Sequence, residues 1–352
     1  MKNFAITGVA GYIAPRHLQA IRDTGNRLVA ALDPHDSVGI LDRYFPDVDF
    51  FTDFERFDRH LDKLQRGPEK ERIHYLSICS PNNLHDAHIR LALRTGADAV
   101  CEKPIVLNPW NLDALQQLEK ETGRSVKTIL QLRIHPSLLE LKSRFEKESR
   151  DRKHEVMLTY ITSRGPWYLY SWKNSVERSG GLATNIGIHL FDLLLWFFGS
   201  VQRIEIHYSD SRCVGGFFEL QKANVRWFLS IKKEDLPEGE LKQGKSIFRS
   251  IMIDGKGIEF SEGFTDLHTR VYEEILAGRG SGIEDARPSV ELAYQVRNAR
   301  ITPPADIVHP MVERIGRDQS FDSSRYPHCE TWGVNLTGKR ETEKNGARNR
   351  ET

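Results

Sequence analysis

Cysteine is scarce in this chain of 352 residues. Its four cysteines, Cys79, Cys101, Cys213 and Cys329, are too scattered to give a CxxC pair or a metal-ligand spacing, so no metal site is expected. They read as buried thiols of a reducing compartment. An excess of charge is missing too. Fifty Lys and Arg against 49 Asp and Glu leave a net charge of +1, which removes the electrostatic case for nucleic acid or an anionic membrane surface. Long apolar runs are also lacking. The most apolar stretch, 190–198, contains Asp192 and falls short of the ~20 residues that span a bilayer. Met1-Lys2-Asn3-Phe4 leads straight into a strand, with no signal-peptide core. No internal repeat is present. With 39% hydrophobic and 28% charged residues, the expectation is a soluble, cytoplasmic protein of about two domains.

The dinucleotide signature GxGxxG is absent, but a variant stands in the right context. Phe4–Thr7 reads as a strand, Gly8-Val9-Ala10-Gly11-Tyr12-Ile13-Ala14 as a GxxGxxA turn, and Ile13–Thr24 as a helix. Strand, glycine turn and helix together bring backbone close to a pyrophosphate at a helix N-terminus. The next strand, Leu28–Leu32, ends on Asp33, 25 positions after Gly8. An acid at that tip accepts hydrogen bonds from the ribose of NAD and repels the 2′-phosphate of NADP. The bland alternative for Asp33 is a turn residue before Pro34.

Strands and helices keep alternating: Val48–Phe51, Ile73–Ile78, Asp98–Cys101 and Val126–Leu132 as strands, Phe54–Gln65 and Pro109–Glu121 as helices. Asn82 or Asn83 is expected to cap a helix running to Thr95, and Asn108 the one from Pro109. This pattern predicts a doubly wound parallel sheet over 1–132. Ser80-Pro81-Asn82, Glu102-Lys103-Pro104 and Arg133-Ile134-His135 then sit at carboxyl strand ends, where such sheets bind ligands.

Beyond about residue 150, longer strands follow one another (Val156–Thr162, Val201–Tyr208, Gly216–Leu220, Ala223–Ile231, Ser246–Ile253). They predict an α+β domain over 133–318 with a mostly antiparallel sheet. Leu236–Gln243 reads as a loop, Thr265–Leu276 and Ser289–Arg297 as helices, and 319–352 as a polar, disordered tail. Within this domain, Ser179-Gly180-Gly181-Leu182-Ala183-Thr184-Asn185-Ile186-Gly187-Ile188-His189 runs into an apolar helix. Asn185, His189 and Asp192 share one helical stripe. A buried polar stripe is either a satisfied core network or a site, and histidine suits proton transfer near neutral pH.

In this order, the glycine turn, Asp33, Ser80-Pro81-Asn82-Asn83-Leu84-His85, Glu102-Lys103-Pro104 and GGxxxNxGxHxxD resemble the Gfo/Idh/MocA family of NAD(P)-dependent sugar oxidoreductases. Four further stretches are similar to one subgroup, the UDP-N-acetylglucosaminuronate 3-dehydrogenases of O-antigen biosynthesis: Ala10-Gly11-Tyr12-Ile13-Ala14-Pro15-Arg16-His17, Leu130-Gln131-Leu132-Arg133, Thr162-Ser163-Arg164-Gly165 and Glu262-Gly263-Phe264-Thr265-Asp266-Leu267-His268. Two departures from the wider family, Asn185 in place of Asp and a glycine turn one residue longer, are similar to that subgroup.

The resemblance implies an N-terminal Rossmann domain binding NAD through Gly8, Gly11, Tyr12, Ile13, Asp33, Ser80, Asn82, His85, Glu102, Lys103 and Gln131. It implies His189 as base, Lys103 as donor to the developing alkoxide, and Asn185 as an orienting group. For a substrate carrying a carboxylate, a pyrophosphate and uracil, Arg133, Arg164, Trp167, Tyr168, Trp172 and Lys173 supply cations and rings beside Asn185 and His189. The alternative for those aromatics is plain domain core. A homodimer or homotetramer is implied, with 2-oxoglutarate as a candidate hydride acceptor. Other readings are a different sugar or cyclitol dehydrogenase and a cofactor-binding regulator without turnover.

Overall fold

A computed structural model describes residues 1–148, 152–258, 266–303 and 307–318. The first of two six-stranded sheets contains β1 (Asn3–Thr7), β2 (Arg27–Leu32), β3 (Asp49–Phe51), β4 (Tyr75–Ile78), β5 (Asp98–Cys101) and β6 (Val126–Thr128), in the order β3-β2-β1-β4-β5-β6. Every pairing is parallel. Parallel strands need cover on both faces, and β1 is buried at all five positions. Helices Phe54–Arg66, His85–Arg94 and Trp110–Thr122 supply one apolar layer, through residues such as Phe57, Ile89 and Leu112. Helix Ala14–Asp23 supplies the other through Leu18 and Ile21. Because β1 lies between β2 and β4, the connections leaving their carboxyl ends diverge and open a crevice there.

The second sheet contains β7 (His154–Thr162), β8 (Val201–Ser209), β9 (Cys213–Leu220), β10 (Ala223–Ser230), β11 (Ile247–Ile253) and β12 (Lys256–Gly257), in the order β12-β11-β7-β10-β9-β8. Only β7 and β10 pair in parallel; the other ladders are antiparallel. Helix Ile188–Phe198 buries its apolar side chains on this sheet, with the Phe191 ring 5.1 Å from Phe218 and 5.2 Å from Trp227. The helical stretch Val176–Phe198, 23 residues long with an 18-residue window of mean hydropathy 1.4, is long and apolar enough by composition to cross a membrane, which the 190–198 run alone is not. However, 72% of that window is buried within the protein, as befits a core helix.

Two helices that follow the second sheet in the chain return to the first. Leu267–Leu276 packs Val271, Tyr272 and Ile275 beside helix Ala14–Asp23, and Ile283–Asn298 packs Ile283, Ala286 and Val290 into the opposite layer. Cys79, Cys101 and Cys213 are buried free thiols; Cys329 and the tail 319–352 lie outside the described residues.

Several local expectations are corrected. Neither Asn82 nor Asn83 caps helix His85–Arg94, because Asn82 lies in a 3-10 turn and donates instead to the Ser179 carbonyl at 2.9 Å. Asn108 does not cap helix Trp110–Thr122; its side chain accepts from Arg297 Nη2 at 2.8 Å. β6 stops at Thr128, and Gln131–Ile134 turns as a 3-10 helix. The helix expected from Ser289 begins at Ile283, and the loop at 236–243 holds a short helix, Glu238–Lys242.

Candidate active site

The crevice begins at Gly8, whose φ of +76° is left-handed and whose added Cβ would lie 2.5 Å from the backbone of Cys79 and Ser80. Only glycine fits where β1 leaves the sheet against the end of β4. Helix Ala14–Asp23 starts with no side-chain cap; Pro15 has no N–H, and the Ala14 and Arg16 N–H groups donate to the Gly11 and Ile13 carbonyls at 3.1 and 3.0 Å. Asp33, buried at the end of β2, accepts from Ala10 N at 3.0 Å and His35 N at 2.9 Å. Its oxygens keep further lone pairs for a diol. The close-packed glycine turn and Asp33 fit an adenine dinucleotide lying across the strand ends. Gly11 and Ile13 share the turn, and Tyr12 points its ring into solvent.

Across the crevice, Gly180 and Gly181 both take left-handed φ, +80° and +79°, letting the chain reverse before the helix that carries the histidine. Asn185 lies in a π-helical turn, Ala183–Gly187, which feeds helix Ile188–Phe198 with His189 as its second residue. Lys103, at the end of β5, points Nζ at the Asn185 carbonyl, 3.4 Å away. Lys103 and His189 line one small cavity together with Thr128 and Ser289. Asn185 Nδ2 donates to the Tyr168 hydroxyl at 3.0 Å, and Asn82 Nδ2 reaches Asn185 Oδ1 at 3.5 Å.

The electrostatics suit acid–base work. Burial, reinforced by the Lys103 charge, holds His189 well below the usual imidazole range, so it is neutral and able to accept a proton. Burial also lowers Lys103, while Glu102 raises it and Lys173 lowers it further. Lys173 stacks its ammonium over the rings of Trp167 and Trp172, 5.3 and 5.4 Å from their centroids, and Arg164 adds its charge there. Tyr168 is the buried anchor of this aromatic segment, whereas Trp167 and Tyr170 are exposed.

Two family models match the chain: an oxidoreductase family, NAD-binding Rossmann fold, over residues 2–129, and the same family's C-terminal alpha/beta domain over 153–235. A solved structure of the WlbA (WbpB) dehydrogenase from Thermus thermophilus, in complex with NAD and alpha-ketoglutarate, is 51% identical, with a TM-score of 0.85, over 88% of this chain and 99% of that one. The chain belongs to the Gfo/Idh/MocA oxidoreductase family. Its first sheet is an NAD-binding Rossmann fold. The Thermus enzyme in complex with NAD and UDP-GlcNAcA is 50% identical with a TM-score of 0.84, over 88% of this chain and 99% of that one. The inositol 2-dehydrogenase of Rhizobium meliloti (strain 1021) is 27% identical over 199 residues, 56% of this chain and 54% of that protein. The chain thus spans about half the length of this curated relative.

Not every site residue read from the sequence faces the crevice. Arg133 is corrected: it is no free cation for substrate, because Nη2 and Nε bind Asp192 at 2.7 and 3.0 Å and the same group reaches Asp285. Three residues expected at the cofactor have side chains engaged within the protein. Ser80 bonds His88 at 2.9 Å, His85 lies between the Pro104 and Ser80 carbonyls at 2.7 and 2.9 Å, and Glu102 is held by two histidines. Gln131 leaves Oε1 buried without a partner.

Sequence reasoning assigned no chemistry to His17, His268 or Tyr272, although the first two lie inside motifs that carry the resemblance. Glu262–Thr265 of the second motif lies outside the described residues. It also missed Arg249 on β11, whose charge bears on His189 and whose guanidinium stacks 5.2 Å from the Tyr160 ring.

Proposed function

We propose that this protein oxidises the sugar 3′-hydroxyl of UDP-N-acetylglucosaminuronic acid to the 3-keto sugar, within lipopolysaccharide O-antigen sugar synthesis in the cytoplasm. The observation that carries the reading is the pairing of Lys103 and His189 on one cavity, beside the cationic, aromatic segment 164–173. Half-identity over 99% of an enzyme solved with NAD and UDP-GlcNAcA supports the substrate. His189 accepts the hydroxyl proton as the alcohol is oxidised. Lys103 donates a hydrogen bond to the oxygen as negative charge develops, an interaction strengthened by its dry surroundings. Asn185, fixed by Tyr168 and Asn82, orients the substrate beside them. NAD, when bound, supplies the acceptor for the hydride leaving C3. Arg164 and Lys173 offer charge for the diphosphate or carboxylate, and Trp167 or Trp172 a face for uracil.

The Thermus complex with alpha-ketoglutarate supports 2-oxoglutarate as the second substrate, reoxidising the cofactor in place. The second sheet is the proposed contact of a homodimer or homotetramer, which light scattering of the purified protein checks.

The test is to mix protein, NAD and the UDP-sugar acid, with and without 2-oxoglutarate, and follow the nucleotide sugar by mass. Loss of two hydrogens supports the reading. An untouched sugar with NAD bound defeats the substrate assignment and directs the search to other sugars and cyclitols.

A further inference from the structure

Directly behind Lys103, Glu102 is almost fully buried, and its carboxylate takes three donors from three parts of the chain. Oε1 accepts from His17 Nε2 at 3.0 Å and His268 Nε2 at 3.1 Å; Oε2 accepts from the Lys103 backbone N–H at 3.3 Å. His17 belongs to helix Ala14–Asp23, which opens the cofactor crevice, and His268 to helix Leu267–Leu276. Both rings are buried, and they meet edge to face with centroids 5.2 Å apart.

The proton positions follow from donor and acceptor chemistry. An ionised carboxylate only accepts, so both Nε2 atoms carry hydrogen. In a neutral ring, His17 Nδ1 then accepts, and its partner is the Tyr272 hydroxyl at 2.7 Å. Tyr272 in turn receives the Ser77 hydroxyl, also at 2.7 Å. Burial pushes the His17 imidazole down, which agrees with a neutral ring. Burial alone would raise Glu102, yet the two imidazole donors outweigh it and hold the carboxyl well below its usual range.

We propose that His17 and His268 are positioning residues for Lys103: they keep Glu102 charged and fixed, and Glu102 fixes the backbone of the lysine turn and sets an anion beside its ammonium. The inference rests on the assignment of Lys103 as the donor to the alkoxide. The groups bearing on that ammonium are Glu102, Lys173, His85 and His189. Among them Glu102 supplies the negative charge.

The test uses the full chain with NAD bound and lysines carrying carbon-13 at Cε, with the Lys103 signal assigned by Lys103→Arg. In His17→Leu and His268→Leu the carboxylate loses a donor, and the Lys103 titration is expected to fall by about one pH unit. Turnover is expected to drop about tenfold with KM for NAD little changed. His17→Gln and His268→Gln, whose amide N–H stands in for Nε2–H, are expected to stay near wild type in both readouts.

A wild-type Lys103 titration in the leucine variants overturns the proposal. So does a metal ion retained at one equivalent by the wild type and lost in those variants, since the three side-chain atoms lie within 4.8 Å of one another. Should the leucine variants not fold, Glu102→Gln, equal in shape and uncharged, carries the same test: an unmoved lysine overturns it. Because this titration needs no sugar, it decides the inference even where the substrate assignment fails.

Discussion

Lys103 and His189 meet at one cavity but are held there by opposite means. Lys103 stands on a polar scaffold: Glu102 with its two histidines on one side, His85 on the Pro104 carbonyl on the other. His189 stands on an apolar one, a helix whose further polar member, Asp192, is matched by Arg133. Burial drives both groups toward their neutral forms, but the neighbouring charges diverge. Glu102 restores proton affinity to Lys103, whereas the Lys103 charge removes more of it from His189. The proposed donor thus has an anion near it that the proposed base feels less than the lysine's own charge. Separating two proton affinities in this way is how a single site assigns acid and base roles.

The most direct way to break that pairing is to remove either member. His189→Ala and Lys103→Ala are each expected to lower turnover by roughly 10²–10⁴-fold while NAD binding, measured by calorimetry, persists. Turnover within a few-fold of wild type in either variant would refute the base and donor roles of the pair. Next in size is the ion pair beneath the histidine helix. Asp192→Ala removes the buried one of Arg133's two carboxylate partners and leaves the guanidinium, at 16% side-chain exposure, on the more exposed Asp285. Because Asp285 still compensates the charge in part, the loss in denaturant unfolding should fall below the ~3–5 kcal/mol of a fully stranded buried ion, at about 2–3 kcal/mol. A loss below ~1 kcal/mol would mean the pair behaves as a surface one.

Acid compares the two sheets through one histidine from each. Burial holds His88, bonded to Ser80 and Thr7 beside the first sheet, at about 4. It holds His309, bonded to Thr159 of the second sheet, at about 4 too. Both are lowered from 6.5, so the unfolded chain takes up these protons first. Neither group affects stability above pH 6.5, and stability falls as pH drops from there toward 4. The slope is about 1.4 kcal/mol per pH unit for each residue. Thermal unfolding across that window should show His309→Leu and His88→Leu each reducing the slope by its own share; an unchanged slope would show that the histidine is solvated.

Much of the site is legible in the sequence, for definite reasons. The strand–glycine–helix entry, Asp33, and the placement of Lys103 at a strand end follow from local pattern and from the rule that parallel sheets bind ligands at their carboxyl ends. Arg133 is misjudged from sequence because a cation's partner is a matter of tertiary geometry: Asp192 is 59 positions away, and nothing local links the two. The failed caps at Asn82 and Asn108 have the same origin, since each amide is drawn to a distant partner, Ser179 or Arg297. His17 and His268 carry no local signal of their own. Their meaning appears only when helix Leu267–Leu276 returns from beyond the second sheet to lie against helix Ala14–Asp23.

The smallest expected effect probes the link between the two regions. The Tyr168 ring is buried against Ile186 and Ile231, and its hydroxyl accepts from Asn185, the residue whose carbonyl faces Lys103. Tyr168→Phe keeps the ring and removes one hydrogen bond, worth roughly 0.5–1.5 kcal/mol. Packing is retained, so the melting temperature should move little, and the loss should fall on the orientation of Asn185. A few-fold drop in kcat with KM for the UDP-sugar unchanged is the outcome expected of a residue acting through Asn185. A rise in KM with kcat intact would instead place the hydroxyl on the substrate. The Lys173–Trp167–Trp172 stack would then be its neighbour in recognition rather than a separate patch.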